Sequence, residues 1–211
     1  MITKNYEALI FCIVLIIIGI TILFDARKNK ICLKDHISKR INIVLIFTAS
    51  VLCLVIEFIF ILFVPLLNES LQIVGSNPYE SIIVGIITTC IATPIFEEII
   101  FRFGLYEKYK SKINIWLLMT ILSIIFGIIH LYGIVGTIAI AITGFIYHII
   151  YYKTNNLVNS ILTHAVYNGA SLYFGTILIE PNLTLFLILT VLGIFSFFIT
   201  FLQIKKENGK F

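Results

Sequence analysis

The chain has 211 residues, 60% of them hydrophobic and only 12% charged, with a formal net charge of +4 and a mean hydropathy of +1.07. Soluble domains carry roughly 25% charged residues, so this composition argues against a water-soluble globular fold. The basic excess does not point to nucleic acid, because Lys and Arg sit in short loops between apolar runs, where they set membrane topology.

Seven apolar segments follow in chain order, at about 6–24, 41–67, 80–102, 113–131, 134–152, 157–176 and 183–203. Long uninterrupted apolar runs predict helices rather than a barrel, since either must pair its backbone groups internally in hydrocarbon. The expected fold is an all-α polytopic membrane protein, a bundle of about seven transmembrane helices around an intramembrane polar cavity. The first run is followed by Asp25-Ala26-Arg27-Lys28 with no small-x-small cleavage site, so it reads as a membrane segment and not as a signal peptide. No composition shift or repeat divides the chain, which reads as a single transmembrane domain over 1–211. Cys12, Cys53 and Cys90 fall in apolar runs and Cys32 in a basic loop, without a Cys-x-x-Cys pair; reduced, partly buried thiols are expected.

Charge orients the segments. Loop 25–40 holds Arg27, Lys28, Lys30, Lys34, Lys39 and Arg40; loop 103–112 holds Lys108, Lys110 and Lys112; Lys153 follows the fifth run, and Lys205, Lys206 and Lys210 follow the seventh. The alternate loops 68–79 and 177–182 have no Lys or Arg. The positive-inside rule then predicts a multi-pass cell-membrane protein with its C-terminus cytoplasmic and its N-terminus outside. Asn-x-Ser/Thr triplets at Asn68 and Asn182 fall on the outer side and read as chance matches.

Three apolar runs carry chemistry. The third contains Glu97, Glu98 and Arg102. An ionised carboxylate at the bilayer centre costs roughly 2.5–3.5 kcal/mol on insertion scales, so buried charges of this kind mark functional sites by default. Glu98 and Arg102 are four apart and share a helix face, predicting an ion pair. Glu97, rotated by about 100° from Glu98, is left free as a general base. The fourth run ends on His130, with Phe126 one turn before it as an apolar wall. The sixth carries His164 and Asn168, four apart on one face. Glu97 with His130 suits the holding and deprotonation of a water, and His164 with Asn168 suits an oxyanion site. The same residues equally suit a divalent metal such as zinc, with Glu97, His130 and His164 as ligands. His148 lacks a polar side chain one turn away and reads as a core or interface residue. Glu57 is a further buried charge that either pairs with a motif residue or lines the cavity.

Glu-Glu-x-x-x-Arg, then Phe-x-x-x-His, then His-x-x-x-Asn, in that order on successive apolar segments, resembles the CPBP family, which contains type II CAAX prenyl endopeptidases and bacterial Abi proteins linked to bacteriocin processing and self-immunity. The resemblance covers about 80–175, the expected catalytic core. It implies an intramembrane endopeptidase acting on a membrane-associated protein or peptide, glutamate- or metal-dependent. Glu97 would be the water-activating base, His130 its partner and His164 with Asn168 the oxyanion donors, with Glu98 and Arg102 shaping the site. The implied partners are the lipid bilayer and a peptide substrate.

Other intramembrane protease classes lack their signatures: there is no Gly-x-Ser-x-Gly or His-Glu-x-x-His, and the only aspartates are Asp25 and Asp35 in a loop. A non-catalytic bacteriocin-immunity or binding protein is the alternative; a proton-coupled transporter is weaker, without a visible inverted repeat. On these spans His130 lies about 10–15 Å deeper than Glu97 and His164. The fourth helix is therefore expected to begin with a surface stretch near Lys112–Trp116 or to tilt strongly, with Gly127, Gly133 and Gly136 allowing a close approach.

Overall fold

The computed structural model describes residues 3–63, 82–174 and 182–207. Every regular element among them is helical: α1 (Thr3–Lys28), α2 (Lys34–Ile37), α3 (Ile43–Phe63), α4 (residues 82–109), α5 (Ile115–Ile128), α6 (Gly133–Thr154), α7 (Leu157–Phe174) and α8 (Leu183–Glu207). Four stretches, Ile43–Ile61, Ile83–Tyr109, Gly133–Thr154 and Leu183–Glu207, are long and apolar enough to cross a membrane. Loop 68–79 with Asn68, the end of the second apolar run and most of 177–182 lie outside the described residues. Asn182 caps α8, its side-chain oxygen accepting the Leu185 N–H at 2.8 Å.

Outward faces are apolar. On α8, Val191, Ile194, Phe195, Phe197, Phe198 and Phe201 are all exposed. So large a contiguous apolar surface is a membrane or partner face, not a water-facing one. Inside, polar side chains join the helices, as expected where lipid removes the hydrophobic drive between them. Ser50 on α3 donates to the Thr163 carbonyl of α7 at 2.9 Å, and Thr200 on α8 to Thr48 on α3 at 3.0 Å.

Two boundaries differ from expectation. The third run is expected to stop at 102, but α4 runs on to Tyr109, because Phe103 and Tyr106 are buried and continue its packed face. The fourth helix starts at Ile115 and not at 113, where Asn114 accepts the N–H groups of Trp116 and Leu117. At 14 residues, or about 21 Å, α5 is too short to span. Gly127 packs directly on the Thr137 carbonyl and Ala141, so the end of α5 lies one to two turns into α6. This short helix and its close glycine contact bring His130 to the level of the glutamates.

α4 is not uniformly α-helical. Ile86–Ala92 and Ile99–Tyr106 are π-helical, and they flank the α-helical Thr93–Glu98 that carries both glutamates. Such turns hold one extra residue and recur at functional sites.

The ends that bear the basic residues are tied together. Asp25 at the end of α1 pairs with Lys108 at the end of α4, 2.7 Å. His36 of α2 meets the Tyr151 hydroxyl at 2.8 Å, and that hydroxyl donates to Glu107 at 3.1 Å. Asn42, before α3, donates through its backbone to Asn159 of α7 and through its side chain to Glu207 of α8. Asn156 donates to the Lys39 and Arg40 carbonyls.

Candidate active site

Glu97, Glu98 and Arg102 on α4 are essentially without solvent exposure. The expected ion pair is present, Arg102 Nη1 lying 3.1 Å from Glu98 Oε1. Arg102 Nη2 also donates to the Gly144 carbonyl of α6 at 2.7 Å. Its guanidinium faces the rings of Phe126 and Tyr147, 4.9 and 5.4 Å from their centroids, so cation–π contact supplements the pairing. Gly144 has no room for a side chain here, since a Cβ would stand 2.8 Å from the Phe126 ring.

Glu98 does more than pair with Arg102. It accepts the Nδ1–H of His164 at 3.0 Å and the hydroxyl of Ser160, one turn before His164 on α7. The two glutamates are thus not separated as their 100° offset suggested. His164 reaches both, with its other nitrogen, Nε2, 3.8 Å from Glu97 Oε2. An imidazole ring on a facing helix is long enough to meet adjacent carboxylates with its two ends.

His130 arrives from the other side. Its Nδ1–H donates to the Phe126 carbonyl at 2.6 Å, and its Nε2 stands 3.9 Å from Glu97 Oε1. Phe126 is therefore more than an apolar wall: its carbonyl orients His130 while its ring covers Arg102. Because both Nδ1 atoms are committed as donors, both neutral imidazoles turn an Nε2 lone pair toward Glu97. Three acceptors then converge on one place with no donor among them, at separations too long for direct hydrogen bonds. An apolar open groove lined by Ile128, Leu131, Gly133, Ile134, Thr137 and Ile138 lies against the turn that carries His130. His130 is also the most exposed member of the cluster.

Asn168, half-buried, donates its Nδ2–H to the Thr89 carbonyl of α4 at 2.9 Å. Glu57 accepts from Ser171 of α7 at 2.9 Å, a residue outside the three motifs. His148 has a partner after all: its Nδ1 bonds the Gly144 carbonyl at 3.0 Å, the same oxygen that holds Arg102. Tyr147 stacks on His164, rings 4.8 Å apart and 22° from parallel. Ser160 and Tyr147 went unnoticed in sequence; for Ser160 the signal was present as its four-residue spacing from His164.

Two imidazole nitrogens fixed from behind and a carboxylate are chemically a zinc donor set. Among the described residues, however, no three His, Cys, Asp or Glu side chains are gathered closely enough to hold a metal ion.

The chain is thus all-helical in its described residues, with four helices able to cross a membrane and a buried carboxylate–imidazole cluster contributed by α4, α7 and the turn after α5. Residues 79–170 match the model of the Rce1-like type II CAAX prenyl endopeptidases, and over that stretch the chain carries a domain of this family, the CPBP family. No curated protein and no solved structure matches the chain.

Proposed function

We propose that the chain is an intramembrane endopeptidase that hydrolyses a peptide bond of a membrane-associated protein or peptide, with its catalytic core in residues 80–175. The convergence of the His130 and His164 Nε2 atoms on the two oxygens of buried Glu97 carries this reading. A water between them satisfies what the side chains lack, donating one hydrogen to the carboxylate and one to an imidazole. Glu97 takes the proton of that water as it attacks the carbonyl carbon, and returns it to the leaving amine. His164, with the Glu98 carboxylate as counter-charge behind it, stabilises the developing oxyanion through Nε2–H when protonated. Arg102 and Ser160 fix Glu98, and His130 orients the water at the groove through which substrate approaches.

Seven helices, α1 and α3–α8, make up the membrane bundle on this reading. Clustering of the ends bearing Lys28, Arg40, Lys108, Lys153 and Lys205 supports a cytoplasmic position for that side, with the N-terminus outside.

The test uses purified full-length protein in micelles and a proteome-derived peptide library, with new N-termini read by mass spectrometry. Wild type is expected to cleave, and Glu97→Gln or His130→Ala to lose about 10²–10⁴-fold while keeping the wild-type thermal transition. Undiminished cleavage by Glu97→Gln sinks the assignment. A bacteriocin-binding or immunity role that survives Glu97→Gln, without cleavage by wild type, supports the non-catalytic reading instead.

A further inference from the structure

His164 serves two carboxylates at once, with Nδ1 on Glu98 at 3.0 Å and Nε2 toward Glu97 at 3.8 Å. Keeping both depends on the plane of the imidazole. Rotation of a histidine ring about its Cβ–Cγ bond has broad wells, so rotamer preference does not set that plane, and one hydrogen bond at Nδ1 leaves the far nitrogen free to swing. The missing constraint comes from α6, which carries none of the three motifs. Tyr147 is fully buried there, and its ring lies within 22° of parallel to His164 with centroids 4.8 Å apart, inside the range of aromatic stacking. Phe126 meets the same imidazole edge-on, at 5.9 Å and 75°. The Tyr147 ring also covers the Arg102 guanidinium at 5.4 Å, while the carbonyl of Gly144, one turn earlier on α6, accepts from Arg102. One turn of α6 thus secures both groups that pair with Glu98. The Tyr147 hydroxyl, also buried, makes no hydrogen bond to any residue of the site.

We propose that Tyr147 is a positioning residue: the face of its ring fixes the plane of His164, so that the two imidazole nitrogens stay on Glu98 and Glu97 together. The platform is the ring and not the hydroxyl. Tyr147 acts through His164 and touches neither the attacking water nor the substrate. An imidazole out of plane loses its aim at the developing oxyanion, an interaction made in the transition state, so kcat falls while KM stays. This catalytic consequence rests on the endopeptidase reading above; the platform itself does not.

Turnover and a spectroscopic signature separate the two in one set of full-length variants in micelles. Tyr147→Phe keeps the ring face and is expected to cleave the best library peptide within a few-fold of wild type. Tyr147→Leu fills the space without a flat face and is expected to lose about 10²-fold in kcat, the scale of an ångström's misplacement, at unchanged KM. The chain has four histidines, so proteins labelled with carbon isotope in the histidine rings give four resolved ring signals by NMR, and that of His164 is the one missing in His164→Gln. Stacking shifts it upfield; wild type and Tyr147→Phe are expected to share that position, and Tyr147→Leu to lose the shift. The platform is overturned if the His164 signal is the same in all three, if Tyr147→Leu turns over at the wild-type rate, or if Tyr147→Phe falls as far as Tyr147→Leu. Should Tyr147→Leu fail to fold, Tyr147→Met takes its place with the same expected losses, and misfolding of both marks Tyr147 as a packing residue and overturns the positioning role. If no chain cleaves any peptide, the endopeptidase reading falls while the His164 signal still decides the platform.

Discussion

Arg102→Met removes one partner of an ion pair in which neither side chain has any solvent exposure. Screening by water is absent, so the discount that applies to surface pairs does not. Glu98 keeps its bonds from Ser160 and His164 but loses its cationic neighbour, and the Gly144 carbonyl loses its 2.7 Å donor. Stranding one charge of a buried pair costs about 3–5 kcal/mol, which for a chain of this size lowers the melting temperature by roughly 6–20 °C. Glu98→Gln strands Arg102 and is expected to cost a similar amount. The double variant, Glu98→Gln with Arg102→Met, leaves no unpaired charge, and the substituted amide still offers an oxygen to Ser160 or His164. It is expected to be more stable than Arg102→Met alone, with a coupling energy of about 2 kcal/mol or more. Thermal unfolding of the four proteins in micelles, followed by the fluorescence of the single tryptophan, Trp116, measures the cycle. Coupling below about 0.5 kcal/mol would refute the claim that the two residues act as one buried unit.

Ser160→Ala removes a hydroxyl donor to ionised Glu98 and is expected to cost about 1.5–3 kcal/mol, measured as a lowered unfolding midpoint; an unchanged midpoint means the bond is not formed. Gly127→Ala pushes a methyl group against the Thr137 carbonyl and is expected to destabilise by about 1–3 kcal/mol, whereas Gly169→Ala, which meets only the Cys90 sulfur at contact distance, is expected to be close to neutral in the same assay. His36 is held below the usual imidazole range, chiefly by burial, while Glu107, Lys110 and Asp35 also act on it. Folding thus favours the neutral ring, and its stabilising contribution is present at neutral pH and drains as pH falls below about 6.5. His36→Gln should flatten the loss of thermal stability between pH 7.5 and 5; an identical slope in wild type and variant would show that His36 is not the group responsible.

Helix positions were legible where apolar length alone decides them. The fifth run, expected at 134–152, is Gly133–Thr154, and the sixth, expected at 157–176, is Leu157–Phe174 as far as it is described. The Glu98–Arg102 pair followed from four-residue spacing, because the turn joining them preserves the shared face. The extension of α4 to Tyr109 was not legible: Lys108 and Lys110 suggested a loop, while buried Phe103 and Tyr106 kept the helix going. The double service of His164 escaped notice because helical-wheel reasoning treats one helix at a time, and the ring that bridges Glu97 and Glu98 comes from another. Backbone acceptors were invisible for the same reason. The carbonyls of Phe126, Gly144 and Thr89 each orient a site side chain, and no residue type announces a carbonyl.

The short α5 has a consequence for how water reaches a reaction within lipid. A helix of about 21 Å inside a hydrocarbon layer about 30 Å thick cannot shield its neighbours to full depth, and its end carries His130. On the endopeptidase reading proposed above, each turnover consumes a water, and the abbreviated helix would serve as an inlet where the lipid layer thins over its end, with the solvent boundary drawn down toward Glu97.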